Sequence, residues 1–469
     1  MLLLTVANAL YIASGYAITV WLAHHLGPRD FGRYGVVTAI VTLVGIAVTR
    51  GVPVAATRAI AEQPGDSRRT MITAARVTVP LVLAVGVLAA AAAVPIASAL
   101  GDERLRVPLV VGAGAAVTYA LQALPMAWFT GMHRYGWQAF AQAWYAVSRL
   151  VAIIAGGLLA GLSGAIGGFV LAPAVAALAT VGVLGALRRD TLPPRERSSS
   201  RNSPAVTGRA LLSASVPLIG IAALVSVLLT IDILAFKRVA DDSDVGRYLA
   251  AATIAHVPFF LLRSAPIVLM PAVAAAAAIT GLDQRGALVR HEVRSGIADA
   301  IVLLALPTAF LVTLGDRALE ILFSARYGVD GLVVAPLALA TAAITLFTVL
   351  VAVEIALGTL RVALATGLAG SAAVAAAAAI GGQGSNPSRA AWAVALAATA
   401  TLLVHSVSLR ARIGPFVAGR ALAAVAVAGV VGALALATPV GTWWLAASVT
   451  AGSAAYAAVV LRAGLIRLR

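Results

Sequence analysis

The 469-residue chain is 61% hydrophobic and only 11% charged, with a mean hydropathy of +0.99. A soluble domain carries about 25% charged residues, so this composition excludes an ordinary globular protein and points to a polytopic membrane protein. The chain has no cysteine, which excludes disulfides and thiolate metal sites; its formal charge of +16 reads as basic loops against anionic lipid, not as nucleic-acid binding.

Fourteen apolar spans are expected in chain order, the first six near 2–24, 32–57, 76–100, 107–130, 137–160 and 164–187. After a linker come 211–236, 247–275, 296–315, 331–358, 361–381, 389–409, 416–437 and 442–462. They must be helices, because isolated apolar strands would leave backbone groups unsatisfied in lipid. The opening Met1-Leu2-Leu3-Leu4 lacks a basic leader, so the first run is read as a full span and not a cleaved signal peptide. The linker, 188–210, is rich in proline, serine and arginine and suits a solvated cytoplasmic tether. The expected organisation is a six-helix bundle at 1–187, a second at 211–409, and two further spans at 410–469.

Two landmarks support a repeat. Asp30-Phe31-Gly32-Arg33-Tyr34 and Asp244-Val245-Gly246-Arg247-Tyr248 both read D-x-G-R-Y, 214 positions apart, each expected in a short polar loop. Arg50-Gly51-Val52-Pro53 and Arg263-Ser264-Ala265-Pro266 follow, 213 positions apart. Because six spans is an even number, the two halves enter from the same side and the repeat is parallel. With the N-terminus cytoplasmic, inner segments hold 21 Lys/Arg and outer loops 10, so both termini are expected in the cytoplasm of a cell-membrane protein.

The polar residues inside spans are the candidate site. Arg50 and Arg263 cost at least ~2.5 kcal/mol each at depth unless they snorkel to the interface. Their matched positions, each three residues before a proline, favour a shared cavity in which two guanidinium forks clamp a diphosphate. Arg149 is either a third such residue or one that pairs helices. Asp232 and Glu354 are read as partners of arginines or as ion-coupling sites. Tyr119, Gln122 and Trp128, with Gln138, Gln142, Trp144 and Tyr145, form a polar-aromatic group suited either to glycan contact or to an interfacial aromatic belt. His24, His25 and His256 have no metal-ligand spacing, no cofactor is implied, and no catalytic constellation marks an enzyme.

Leu26-Gly27-Pro28-Arg29-Asp30-Phe31-Gly32-Arg33-Tyr34-Gly35 resembles the hallmark of polysaccharide-type (Wzx-like) flippases, within the multidrug/oligosaccharidyl-lipid/polysaccharide exporter superfamily. The run Thr57-Arg58-Ala59-Ile60-Ala61, the pair Ile231-Asp232, the run Leu269-Met270-Pro271 and the segment Glu320-Ile321-Leu322-Phe323-Ser324 with Tyr327 carry the likeness along the chain. The resemblance implies two six-helix bundles in a V around a cavity that opens alternately to each side. It implies a polyprenyl-diphosphate-linked oligosaccharide as cargo, with membrane lipids and polysaccharide polymerase or ligase proteins as partners. In the related lipid II flippases, arginines of the second and eighth helices are implicated in diphosphate binding, and Arg50 and Arg263 match them by position. The family's basic amphipathic lead is missing before the first span, so the natural start is expected upstream. A cation-coupled drug exporter of the same superfamily, a lipid II flippase-like protein, and a non-transporting scaffold are the competing expectations.

Overall fold

A helix ends where a residue cannot continue its hydrogen-bond ladder, and those residues partition the chain. The computed structural model describes residues 2–190, 206–279, 282–416, 418–436 and 442–463. Helix Leu2–Arg50 is interrupted at Gly27, whose φ of 73° and ψ of 170° only glycine adopts readily, and Pro28 restarts the helix. Helix Tyr135–Asp190 breaks in the same way at Ala160 and Gly161. With those divisions, eleven long apolar runs and the final helix Thr442–Arg462 make fourteen spans among the described residues. The protein is an all-α polytopic membrane protein that ends in a helical hairpin, Gly419–Leu436 and Thr442–Arg462.

The chain forms two compact units, Met1–Ser226 and Val227–Arg469. Most of the expected linker, residues 191–205, and the tail Arg467-Leu468-Arg469 lie outside the described residues. Helix Gly208–Leu228, counted as the seventh span, packs in the first unit through Leu211, which joins Val52, Ala55, Ala56, Ala74 and Leu124 in one apolar cluster. The span resumes in the second unit as Ile231–Lys237 after a turn at Leu229–Thr230.

In the first unit, spans five and six meet backbone to backbone. A Cβ at Gly164 would lie 2.0 Å from the Gly156 carbonyl oxygen, and one at Gly168 would lie 2.1 Å from that of Ala152. Small residues four apart give this close approach, the usual device where lipid supplies no hydrophobic drive between helices. In the second unit, span ten (Val334–Ala356) is enclosed: Val349, Leu350 and Val353 join Leu262, Val273, Val293, Leu304 and Leu409 in its core. The hairpin docks on span nine (Leu282–Phe323), where the Tyr456 hydroxyl donates to the Val302 carbonyl at 2.7 Å and Arg420 pairs with Asp299 at 3.0 Å. Span nine has 42 residues. At 1.5 Å per residue it is about 63 Å long, twice a bilayer core, so it runs well past the 296–315 read from hydropathy.

Both D-x-G-R-Y motifs are helical, not loop: they form the first turns of spans two and eight. Aspartate favours a helix N-terminus and pairs one turn on with arginine. Asp30 meets Arg33 at 2.9 Å and Asp244 meets Arg247 at 2.7 Å. Each arginine then reaches the connection that ends the next span. Arg33 Nε donates to Asp102 at 2.8 Å, and Arg247 Nε donates to the Arg326 carbonyl at 3.3 Å. The repeat thus conserves a brace, but its acceptor is a carboxylate in one unit and a carbonyl in the other.

The Arg33–Asp102 side chains are 6% and 9% exposed, against 35% for Arg247. Removing one partner of a buried pair costs about 3–5 kcal/mol, and an exposed pair contributes ~1 kcal/mol or less. Arg33→Ala is therefore expected to lower the unfolding temperature in detergent far more than Arg247→Ala; equal losses would contradict this account.

Candidate functional site

Residues three or four apart share one helix face, and four faces in the first unit converge on Arg149. Span one supplies Asn8, Tyr11 and Ser14, span four Tyr119, span five Gln142, Tyr145 and Arg149, and span six Phe169. The Arg149 guanidinium lies 4.0 Å from the Tyr11 ring centroid and 5.8 Å from that of Tyr145. Its Nε and Nη2 donate to Ser14 Oγ at 3.2 and 2.9 Å, and Nη2 also donates to the Tyr11 carbonyl. Gly15 leaves the room: a Cβ there would stand 2.9 Å from Nη2.

Around this cation the Tyr145 hydroxyl donates to that of Tyr119 at 3.2 Å, and Gln142 Nε2 donates to Asn8 Oδ1 at 2.5 Å. Tyr119 meets Phe169 edge-on at 5.8 Å. Among the described residues no carboxylate pairs with Arg149, and no hydrogen bond engages its Nη1. Ring faces, a hydroxyl and a carbonyl solvate the charge without cancelling it. The group can therefore accept an anion.

Three of the seven residues of the expected polar-aromatic group, Tyr119, Gln142 and Tyr145, gather here with Arg149. Gln122 is half-buried and makes no side-chain hydrogen bond among the described residues. Trp128 packs on Phe129 and Trp144 is exposed. Asn8, Tyr11 and Ser14 were missed from sequence; their signal was a polar face on a span otherwise read as plain hydrophobe.

Arg50 and Arg263 occupy matching helix breaks. Arg50 ends its helix, Gly51 departs from helical geometry, and Pro53 is the second residue of Val52–Glu62. Arg263 follows Val257–Leu262, and Pro266 is the second residue of Ala265–Ala277. Neither proline can donate to the carbonyl four residues back, so Thr49 and Leu262 lose that bond at the same point of each unit. The helix restarts on the carbonyls of Gly51 and Ser264, which accept from Val54 at 3.1 Å and Ile267 at 3.1 Å. Both arginine side chains are exposed.

The two carboxylates differ. Asp232 is buried and its Oδ2 accepts from the Tyr248 hydroxyl at 2.8 Å, while Oδ1 has no hydrogen-bond partner among the described residues. Its neighbour is thus the tyrosine of the second D-x-G-R-Y motif and not the expected arginine, because span eight turns that ring onto the start of Ile231–Lys237. Glu354 is fully buried; its Oε2 accepts from Thr359 Oγ1 and from Arg412 Nη1 at 3.3 Å. Arg412 comes from the end of span twelve, 58 positions on, and sequence counted it only among the cytoplasmic basic residues. Beside them His405 is fully buried, with Nδ1 2.9 Å from Thr366 Oγ1 and its ring 4.9 Å from Phe347.

Residues 1–276 match the family model described as polysaccharide biosynthesis protein. The chain belongs to that family. No curated protein matches it. Among solved structures, the lipid II flippase MurJ in an inward closed conformation is 11% identical, covers 100% of both chains and gives a TM-score of 0.73. A multidrug resistance MATE family transporter of the MOP superfamily, inward-facing, is 17% identical over 87% of this chain and 94% of its own, with a TM-score of 0.67. A MOP superfamily transporter from Pyrococcus furiosus is 17% identical over 88% and 95%, with a TM-score of 0.59. The protein is a multi-pass membrane protein of the polysaccharide biosynthesis family, and its fold is shared with these transporters.

Glu354 has no exposed surface, whereas the Arg412 side chain is 39% exposed. Arg412→Ala strands a buried charge and is expected to destabilise by about 3–5 kcal/mol, and Glu354→Gln, which frees a half-exposed arginine, by about 1–3 kcal/mol. Chemical unfolding in detergent checks the order; the reverse order would refute the pairing.

Proposed function

We propose that the protein flips a polyprenyl-diphosphate-linked oligosaccharide from the inner to the outer leaflet of the cell membrane by alternating access, with both termini cytoplasmic. The observation that carries this reading is Arg149, a cation at a span interior with no carboxylate beside it and tyrosine faces around it. A site built for a cationic drug would place negative charge there. An uncompensated guanidinium instead suits phosphate oxygens, and Tyr119, Tyr145, Gln142 and Gln122 suit the hydroxyl-rich faces of sugars. Arg50 and Arg263, each at the proline break of its own unit, are the other two guanidinium groups we assign to the diphosphate. The family match and the fold shared with a lipid II flippase agree with such a cargo. The cargo's lipid tail stays in the bilayer, and polysaccharide polymerase or ligase proteins of the pathway take the product.

Asp232 favours a second reading. Its buried, unpartnered Oδ1 suits a proton or metal cation, as a cation-coupled exporter of small molecules needs. Within the flippase reading the same oxygen supplies the coupling, and Glu354 is held by Arg412.

Reconstitution with a fluorescent polyprenyl-diphosphate glycan separates the two. A charge-assisted hydrogen bond is worth about 1.5–3 kcal/mol, so Arg149→Gln is expected to slow flipping by about 10- to 100-fold. The Arg50→Ala/Arg263→Ala pair is expected to do the same. The unfolding temperature of Arg149→Gln should hold or rise, since a half-buried charge with no carboxylate partner among the described residues is removed. Wild-type rates in both variants, with drug efflux lost in Asp232→Asn, would replace the flippase by the exporter.

A further inference from the structure

The first unit contains a recess unrelated to the arginine site. It has a volume of about 300 Å³ and lies among spans two, three and four, with Ile40, Val44, Leu88, Ala92, Ile96 and Gly112 on its walls. Every residue that lines it is alanine, valine, leucine, isoleucine or glycine. Gly112 lets spans two and four pack closely at its wall: a Cβ there would come within 2.6 Å of Val41. Leu88 is exposed at its edge, so the recess opens to the hydrocarbon layer.

Its position along the spans is informative. Ile96 lies one turn before the end of helix Ser67–Ala99, and Leu109 lies one turn after the start of helix Arg106–Ala113. The recess therefore begins about one turn, ~5 Å, below the connection at 100–105, which marks the polar edge of the membrane. That connection presents two exposed arginines, Arg104 and Arg106. Arg106 shares its charge with Glu103 at 3.4 Å, with both side chains at least half exposed. Arg104 makes no side-chain ion pair among the described residues. Asp102 is turned inward to Arg33 and does not neutralise the mouth.

We infer that this recess binds one acyl chain of an anionic glycerophospholipid, whose phosphate sits against Arg104 and Arg106. An apolar slot one turn below a cationic rim matches the two ends of such a lipid. A volume near 300 Å³ with an all-aliphatic lining accepts a segment of an acyl chain. Arginines at the interface favour anionic over zwitterionic headgroups. The inference holds whichever cargo the protein moves.

Native mass spectrometry of the full chain, purified from vesicles of equal phosphatidylglycerol and phosphatidylcholine, tests it. Wild type should retain one phosphatidylglycerol per chain with at least a tenfold preference. Arg104→Ala/Arg106→Ala should still retain a lipid but lose the preference, and Ala92→Phe, which fills the slot, should lose the lipid at an unchanged unfolding temperature. Should Ala92→Phe fold poorly, wild type with a phosphatidylglycerol carrying a diazirine on its acyl chain provides the check, by crosslinking to Val44, Leu88 or Ile96. Equal retention of both lipids by wild type overturns the inference, as does crosslinking elsewhere or selective retention of an added polyprenyl phosphate in place of the phospholipid.

Discussion

A guanidinium within a lipid-facing fold must be surrounded by groups that replace water, and this chain meets that requirement in three different ways. Arg33 sits between Asp30 and Asp102, which cancel its charge and turn it into a brace at one end of the first unit. Arg412 is the cation that makes a fully buried Glu354 tolerable. Arg149 has neither. It lies on the Tyr11 ring and donates to Ser14 and to a backbone carbonyl, so Nε and Nη2 are answered but, among the described residues, Nη1 and the charge are not. In the first two cases each guanidinium faces a carboxylate, though Glu354 Oε1 has no hydrogen-bond partner among the described residues. The third guanidinium has no carboxylate among the described residues, and that difference singles out the candidate site.

The helix breaks follow from the same demand on the backbone. A proline inside a span leaves a carbonyl without its donor, which lipid cannot satisfy. At Arg50-Gly51-Val52-Pro53 and Arg263-Ser264-Ala265-Pro266 the helix stops before the proline and restarts from the carbonyls of Gly51 and Ser264. An arginine on the last residue before the restart lies where helix C-terminal carbonyls favour a cation. Both units share this device and the Asp–Arg brace, while the brace's distant acceptor is the Asp102 carboxylate in the first and the Arg326 carbonyl in the second.

Much of the architecture was legible before any coordinates. Fourteen helices follow from apolar run length alone, because a bilayer admits little else, and the paired motifs set the register of the repeat. Even the breaks at Arg50 and Arg263 were readable, since proline acts on its own helix. The helical state of D-x-G-R-Y was less legible: a polar cluster between apolar runs looks like a loop until its aspartate and arginine pair one turn apart. The extension of span nine beyond 296–315 was also hidden, because charged residues lower hydropathy without ending a helix.

What the sequence determined was whatever one helix decides by itself: span number, repeat, proline breaks, and which residues share a face. Only the tertiary structure decided the partners. Tyr11 and Ser14 meet Arg149, and Asn8 meets Gln142, across more than 130 positions; Tyr248 rather than an arginine reaches Asp232, and Arg412 finds Glu354 from two spans away. The physical reason is that helical periodicity gives the direction a side chain points, while its neighbour depends on how close packing rotates and seats the surrounding helices.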